Sequence, residues 1–230
     1  MFKRDYLTRM IEEMGEVIGA VLGLKRQMKH PQAIALLDDL LRKQFRIPLK
    51  LLESMPPEQI TDLFRMNGSP EPDKLQQAAR LLEEAGRLRM ELEETKGDAA
   101  TLMKALYLYV YSDMNGADRT LLQLPERIAE VRLELREYRL TREVDELLAR
   151  YEEGEGQLAE ADNIWFRLIA VHPESFSGAI AFYDRLQLLR EEELEQGGLS
   201  RQEVEEGRQE LLRLRALLPY DQHDESRSEV

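Results

Sequence analysis

The chain has 230 residues, with 45 acidic and 32 basic side chains, a formal net charge of −13 and no cysteine. At 43% hydrophobic and 33% charged it has enough apolar material for one large core or two small ones, and it is not disordered by composition. The missing thiols exclude a disulfide framework, a zinc ribbon and a thiol nucleophile. Charges at positions 3, 4, 5, 9, 12 and 13, with no long apolar run anywhere, speak against a secretory leader or a membrane span, so the expected compartment is the cytoplasm.

The charge is uneven. Residues 1–72 hold 11 basic and 10 acidic side chains, net +1, and residues 73–230 hold 21 and 35, net −14. Its densest runs are Glu191, Glu192, Glu193 and Glu195, then Glu203, Glu205, Glu206 and Glu210. Such a surface repels phosphate and anionic head groups, so neither nucleic acid nor a membrane is an expected partner. The basic clusters Lys25, Arg26, Lys29 and Arg42, Lys43, Arg46 fall where the first two helices should end, and the helix dipole favours cations there without any ligand.

Helical period and strong helix formers dominate between the punctuation marks. A first helix is expected from about Asp5 to Met28 and a second from Pro31 to about Phe45, with Leu36, Leu37, Leu40 and Leu41 as its buried stripe. Pro48 and Pro56-Pro57 bracket a turn before a short helix over 58–66, and residues 67–72 form an extended loop. A helix over 73–95 carries the stripe Leu75, Ala78, Ala79, Leu82, Ala85, and Gly97-Asp98 turns the chain. Residues 106–111 alternate with period two, which favours a strand, but an unpaired strand cannot satisfy its backbone. A buried helix over 99–112, with Tyr107 and Tyr111 on one face, is therefore predicted. Further helices are expected from Pro125 to Tyr138 and over 141–153, 157–171, 176–195 and 200–218. Ser200 and Glu203 should form a capping box, Gly197-Gly198 a helix end, and 219–230 a frayed tail. About ten helices joined by short turns predict an all-α domain of antiparallel hairpins over 1–218, with a candidate sub-boundary near 67–72.

The most specific spacing is Gly156, Leu158, Ala161, Trp165, Leu168, Pro173, preceded by Leu148 and Ala149. A small residue permits two helices to touch, and a large one a turn later fills the widening wedge. This pattern resembles the tetratricopeptide repeat, although Glu152 stands where that repeat places a tyrosine, with Tyr151 beside it. Ala33, Leu37 and Leu40, facing Val17 and Ala20, give a weaker match, and residues 81–107 aligned on Ala100 a fainter one. The resemblance implies hairpins stacked as a right-handed superhelix with divergent units and an insertion at 48–72. MFKRDYLTRMIEEMGEVIGAVLGLKRQ, HPQAIALLDDLLRKQF and FRMNGSPEPDKL also give the chain a resemblance to a bacterial domain-of-unknown-function family common in spore-forming Gram-positive organisms. That family brings no activity, substrate or catalytic residue, and it implies a bacterial cytosolic protein.

No catalytic constellation is legible. His30, His172 and His223 lie outside any metal or triad spacing and read as surface or capping residues. The pairs Glu12/Glu16, Glu83/Glu84 and Glu191/Glu195 lack the histidine of a di-metal bundle and read as solvated faces. No nucleotide, hydrolase or kinase motif occurs, and no cofactor or metal is expected. Gly15, Gly19 and Gly23 share one ridge of the first helix, and each costs helix stability. Close packing on the second helix is the favoured explanation, with a self-complementary homodimer ridge as the alternative. The expected role is a non-enzymatic scaffold that binds a protein or peptide, with Tyr107, Tyr111, Tyr138 and Tyr151 as flat contacts and Arg136 and Arg139 as charged ones. A homo-oligomer assembled through the glycine ridge, and then a cryptic small-molecule sensor or enzyme, are the other readings.

Overall fold

A computed structural model describes residues 2–92 and 99–217, with the side chains from Tyr6 onward. The expected Gly97-Asp98 turn, the 219–230 tail and His223 lie outside the described residues. The described residues are predominantly helical, with twelve α-helices and one two-stranded hairpin. The chain divides into two compact units, 1–147 and 148–230.

In the first unit α1 (Phe2–Arg26) pairs with α2 (His30–Phe45), and α5 (Pro72–Leu92) with α6 (Ala99–Met114). Between the pairs lie α3 (Leu49–Ser54), α4 (Pro57–Leu63) and the strands β1 (Arg65–Met66) and β2 (Ser69–Pro70); α7 (Leu124–Glu134) follows. The stretch between Pro48 and Pro56 is thus a helix, not a turn. A proline before each of α3 and α4 sets the extended entry while the first turn of each remains free to form. Asn67 and Gly68, both at positive φ (52° and 82°), make the two-residue turn joining β1 to β2. The alternating run in α6 is helical as predicted, because the helix satisfies its own backbone while eleven of its residues are buried.

α1 buries Leu7, Met10, Met14 and Val21. Val17 is only half-buried and Ala20 exposed, so the repeat register proposed from them does not hold; Ala100 is likewise exposed, and α6 turns Ala99 and Leu102 inward instead. Glycine is needed at Gly86 of α5, because a Cβ there would lie 2.8 Å from the Leu102 amide nitrogen and 3.1 Å from its Cα. A backbone neighbour cannot rotate away as a side chain can. Gly86→Ala is therefore expected to destabilise the first unit by about 1–3 kcal/mol despite the helix propensity it gains, measured by urea unfolding.

The start of α3 is capped from a distance. The Leu49 amide donates to Asp38 Oδ1 at 2.7 Å, and Arg42 Nε donates to Asp38 Oδ2 at 2.7 Å. Burial alone would raise the Asp38 pKa, but these two bonds outweigh it and hold it below the usual carboxylate value. Since the folded pKa is the lower one, this stabilisation is complete above the unfolded value and fades as pH falls through the folded one. Asp38→Ala is expected to lose about 1 kcal/mol at neutral pH, as for a lost cap, and progressively less in acid, measured by urea unfolding across pH. At the other end of α3, the half-buried Lys104 of α6 donates to the Glu53 carbonyl.

α8 (Arg142–Gly154) spans the division at 147/148. The second unit continues with α9 (Leu158–Ile169), a 3-10 turn at Pro173–Ser175, α10 (Phe176–Leu186), α11 (Glu191–Gln196) and α12 (Arg201–Leu217). The helix expected over 176–195 is thus two helices, separated at 187–190. Gly156 turns the chain at φ 76°, Ala161 is fully buried, and Trp165 fills the space against α10, where a Cβ on Gly178 would approach its Cη2 to 2.6 Å. Gly207 of α12 sits over the Tyr183 hydroxyl, and the Ala159 amide donates to the Gly197 carbonyl at 3.0 Å. The Ser200–Glu203 capping box forms as predicted.

Candidate functional site

Every residue of α5 from Leu75 to Gly86 is buried, on its charged side as well as its apolar one. Glu83 and Glu84, read from the sequence as part of a solvated face, are 0% and 3% exposed. Glu83 finds partners on α6 and α7 as well as on α5, whereas Glu84 is paired with Arg80 and Arg87 of α5 itself. Tyr109 of α6 donates its hydroxyl to Glu83 Oε2 at 2.6 Å, and Arg80 Nη1 donates to Glu84 Oε1 at 2.5 Å while lying 3.3 Å from Glu83. Arg87 Nη1 lies 2.7 Å from Glu83 Oε1 and 3.3 Å from Glu84, and its Nε and Nη2 reach Glu134 of α7 at 2.5–3.1 Å. Arg127 of α7 donates to Glu83 at 3.4 Å and to Glu130 at 3.0 Å. Two interior carboxylates are thus shared among three guanidiniums and a phenol.

Removal of these groups from water is costly, and each shift reports how that cost is offset. Burial pushes the Tyr109 phenol well up, as does the Glu83 carboxylate, and the neighbouring guanidiniums only partly oppose them. Burial works against charge on Arg80 and Arg87, but the adjacent carboxylates more than restore it. The network therefore holds Tyr109 neutral and Arg80 and Arg87 charged at any ordinary pH. Its groups are occupied with one another, an arrangement suited to holding α5, α6 and α7 in one register. Next to it, Gln76 Nε2 donates to Asp73 and to the Asp118 carbonyl, both at 3.2 Å, and Asp73 accepts the Asp118 amide at 2.8 Å, which fixes the loop after α6. Gln77, fully buried, has no hydrogen-bond partner for either side-chain atom.

One signal for this network was present in the sequence. An α6 that is apolar on almost every side needs partners on every side, and its Tyr109 carries a hydroxyl that burial obliges to find an acceptor.

His30, expected as a surface or capping residue, is the first residue of α2 and is buried at 4% exposure, with Nε2 3.6 Å from Glu91. His172 Nδ1 lies 3.2 Å from Glu174. Among the described residues no group of three or more histidine or acidic side chains is arranged to hold a metal, and no helix is long and apolar enough to cross a membrane. The glycines of α1 pack on nothing among the described residues: a Cβ on Gly15, Gly19 or Gly23 would meet no atom of them within 4 Å. The favoured close contact with α2 is therefore absent, because α1 turns the opposite face inward.

Of the expected contact residues, Tyr107 and Tyr111 come together, their rings stacked at 6.4 Å and 13°. Tyr107 is largely buried and Tyr111 half-buried. Arg65 of the hairpin donates to the Tyr111 hydroxyl at 3.1 Å, which places β1 beside the end of α6, and α4 also packs on α6. Exposed Leu63, Met66 and Met114 belong to these same three elements. Arg136, Tyr138 and Arg139 lie on the segment after α7, with both arginines exposed and Arg136 3.2 Å from Glu137. Tyr151 is buried and belongs to the second unit.

No curated protein and no solved structure matches the chain. A family model does, over residues 1–216, and the chain belongs to that family, DUF6483, a family of unknown function.

Proposed function

We propose that the protein is a non-enzymatic scaffold of the bacterial cytosol, of Gram-positive origin and built from tetratricopeptide-like hairpins, that binds a protein or peptide partner. The observation that carries this reading is the surface where α4, the β1–β2 hairpin and the end of α6 meet. Leu63, Met66 and Met114, one on each of these elements, are 43%, 59% and 46% exposed, and the half-buried Tyr111 accepts a hydrogen bond from the Arg65 guanidinium. Large exposed apolar side chains on packed elements that also carry an aromatic ring and a cation are the kind of material that partners cover. Methionine adapts its shape to a ligand, and tyrosine offers a rigid flat contact with a polar tip. The α5 network supports the same reading from inside, because it gives α6 a rigid seat.

The test compares the wild-type chain with Met66→Glu/Tyr111→Ser in affinity capture from lysate at physiological salt, both chains having the same thermal midpoint. A protein retained by the first and lost from the second is the expected result. Equal retention by both, or no reproducible protein on either, contradicts the reading.

A further inference from the structure

Among the described residues nothing packs on the outer face of α1, and its charges are arranged for one occupant. Its buried face, made by Leu7, Met10, Met14 and Val21, lies against α2 and α5. On the opposite side Gly15, Gly19 and Gly23 form a ridge with nothing within 4 Å of any Cβ they would carry. Three glycines cost a lone solvated helix stability at each position, and nothing among the described residues compensates for them. At the two ends of the ridge stand exposed Glu12 and exposed Arg26, each seven positions from Gly19 and of opposite sign. The neighbouring Lys25 is already taken by Glu91.

We propose that this face binds the same face of a second copy of the chain, with the two α1 helices antiparallel and crossing at Gly19. Gly15 then lies opposite Gly23 of the second copy, so the backbones approach closely at the centre. Glu12 lies opposite Arg26 of the second copy, and the symmetry makes that pair twice. A parallel arrangement would set Glu12 on Glu12 and Arg26 on Arg26, like charge against like, so the charge order selects the antiparallel one. The surrounding charge permits the approach, because residues 1–72 carry a net +1 whereas the remainder carries −14. Small residues at i, i+4 and i+8 lie along one ridge of a helix, the feature that lets two such helices interdigitate.

The chain has no cysteine, which makes single-cysteine variants direct reporters. Oxidised Gly19→Cys is expected to give a covalent dimer, whereas Glu12→Cys alone is not, since its twin would lie about 20 Å away along the pair. A mixture of Glu12→Cys and Arg26→Cys is expected to cross-link as a heterodimer. Sedimentation of the reduced chains supplies the second readout: twice the monomer mass for wild type, monomer for Glu12→Arg, and the dimer restored in Glu12→Arg/Arg26→Glu. Gly19 points into open space, so Gly19→Leu is expected to be monomeric with its thermal midpoint kept or raised. Self-cross-linking of Glu12→Cys, cross-linking of Gly19→Cys no faster than that of Gln209→Cys on the exposed side of α12, or a wild-type monomer at the highest soluble concentration would each overturn the proposal.

Discussion

Glu83→Ala is expected to cost about 3–5 kcal/mol, the cost of removing one partner from a buried ionic cluster. The loss comes less from the missing attraction than from what is left behind. The Arg80 guanidinium would remain at 8% exposure with Glu84 as its carboxylate, Arg87 and Arg127 would each lose an interior contact, and the Tyr109 hydroxyl would have no acceptor. Tyr109→Phe removes both the need and the donor in one step, so it is expected to cost only about 1–2 kcal/mol. The double variant should then cost less than the sum of the two, because alanine at 83 with phenylalanine at 109 orphans one group fewer. Urea unfolding followed by circular dichroism measures all three. Additive losses would mean that the Tyr109 hydroxyl is not tied to Glu83.

Trp165→Ala carries the largest expected effect in the second unit, again about 3–5 kcal/mol. Trp165 is 1% exposed and its ring lies against Gly178, a contact made possible only by the missing side chain on α10. Its indole nitrogen has no acceptor, so the site uses the ring for volume and not for a hydrogen bond. Trp165→Phe is accordingly expected to recover much of the loss, leaving only the smaller ring's void. The chain has one tryptophan, so wild-type fluorescence follows this unit by itself while circular dichroism follows both. The variants must be followed by circular dichroism, and the two units need not unfold together.

What was legible in the sequence divides along physical lines. The Ala161–Trp165 spacing could be read because close helix contact restricts residue size at fixed intervals, and both side chains are buried where that rule requires. The helical nature of 106–111 followed from backbone accounting alone, without regard to strand propensity. Glu83 and Glu84 could not be read so directly. An acidic pair followed by arginine at i+3 or i+4 suits a solvated face as well as a buried one. What satisfies the buried Glu83 carboxylate is a phenol 26 residues away and a guanidinium 44 residues away, a matter of tertiary packing. The Gly15–Gly23 ridge was correctly recognised as unusual, yet its direction depends on which residues of α1 turn inward. Val17 and Ala20 were the wrong choice, and Leu7, Met10, Met14 and Val21 set the rotation. The surface around Tyr111 was only partly visible for a similar reason: Tyr107 and Tyr111 share a helix face by spacing, but Arg65 and Met66 reach them through a hairpin turn that local sequence reads simply as a loop.

The proposed docking surface is formed by α4, the β1–β2 hairpin and the end of α6, and the α5 network is expected to stay closed when a partner binds there. Amide hydrogen exchange on the full chain, with and without the captured partner, tests this most directly. Slowed exchange confined to residues 62–68 and 110–115, with α5 already protected in the free chain, is the predicted result. Protection that leaves those residues unchanged, or an α5 that exchanges rapidly in the free protein, would contradict it.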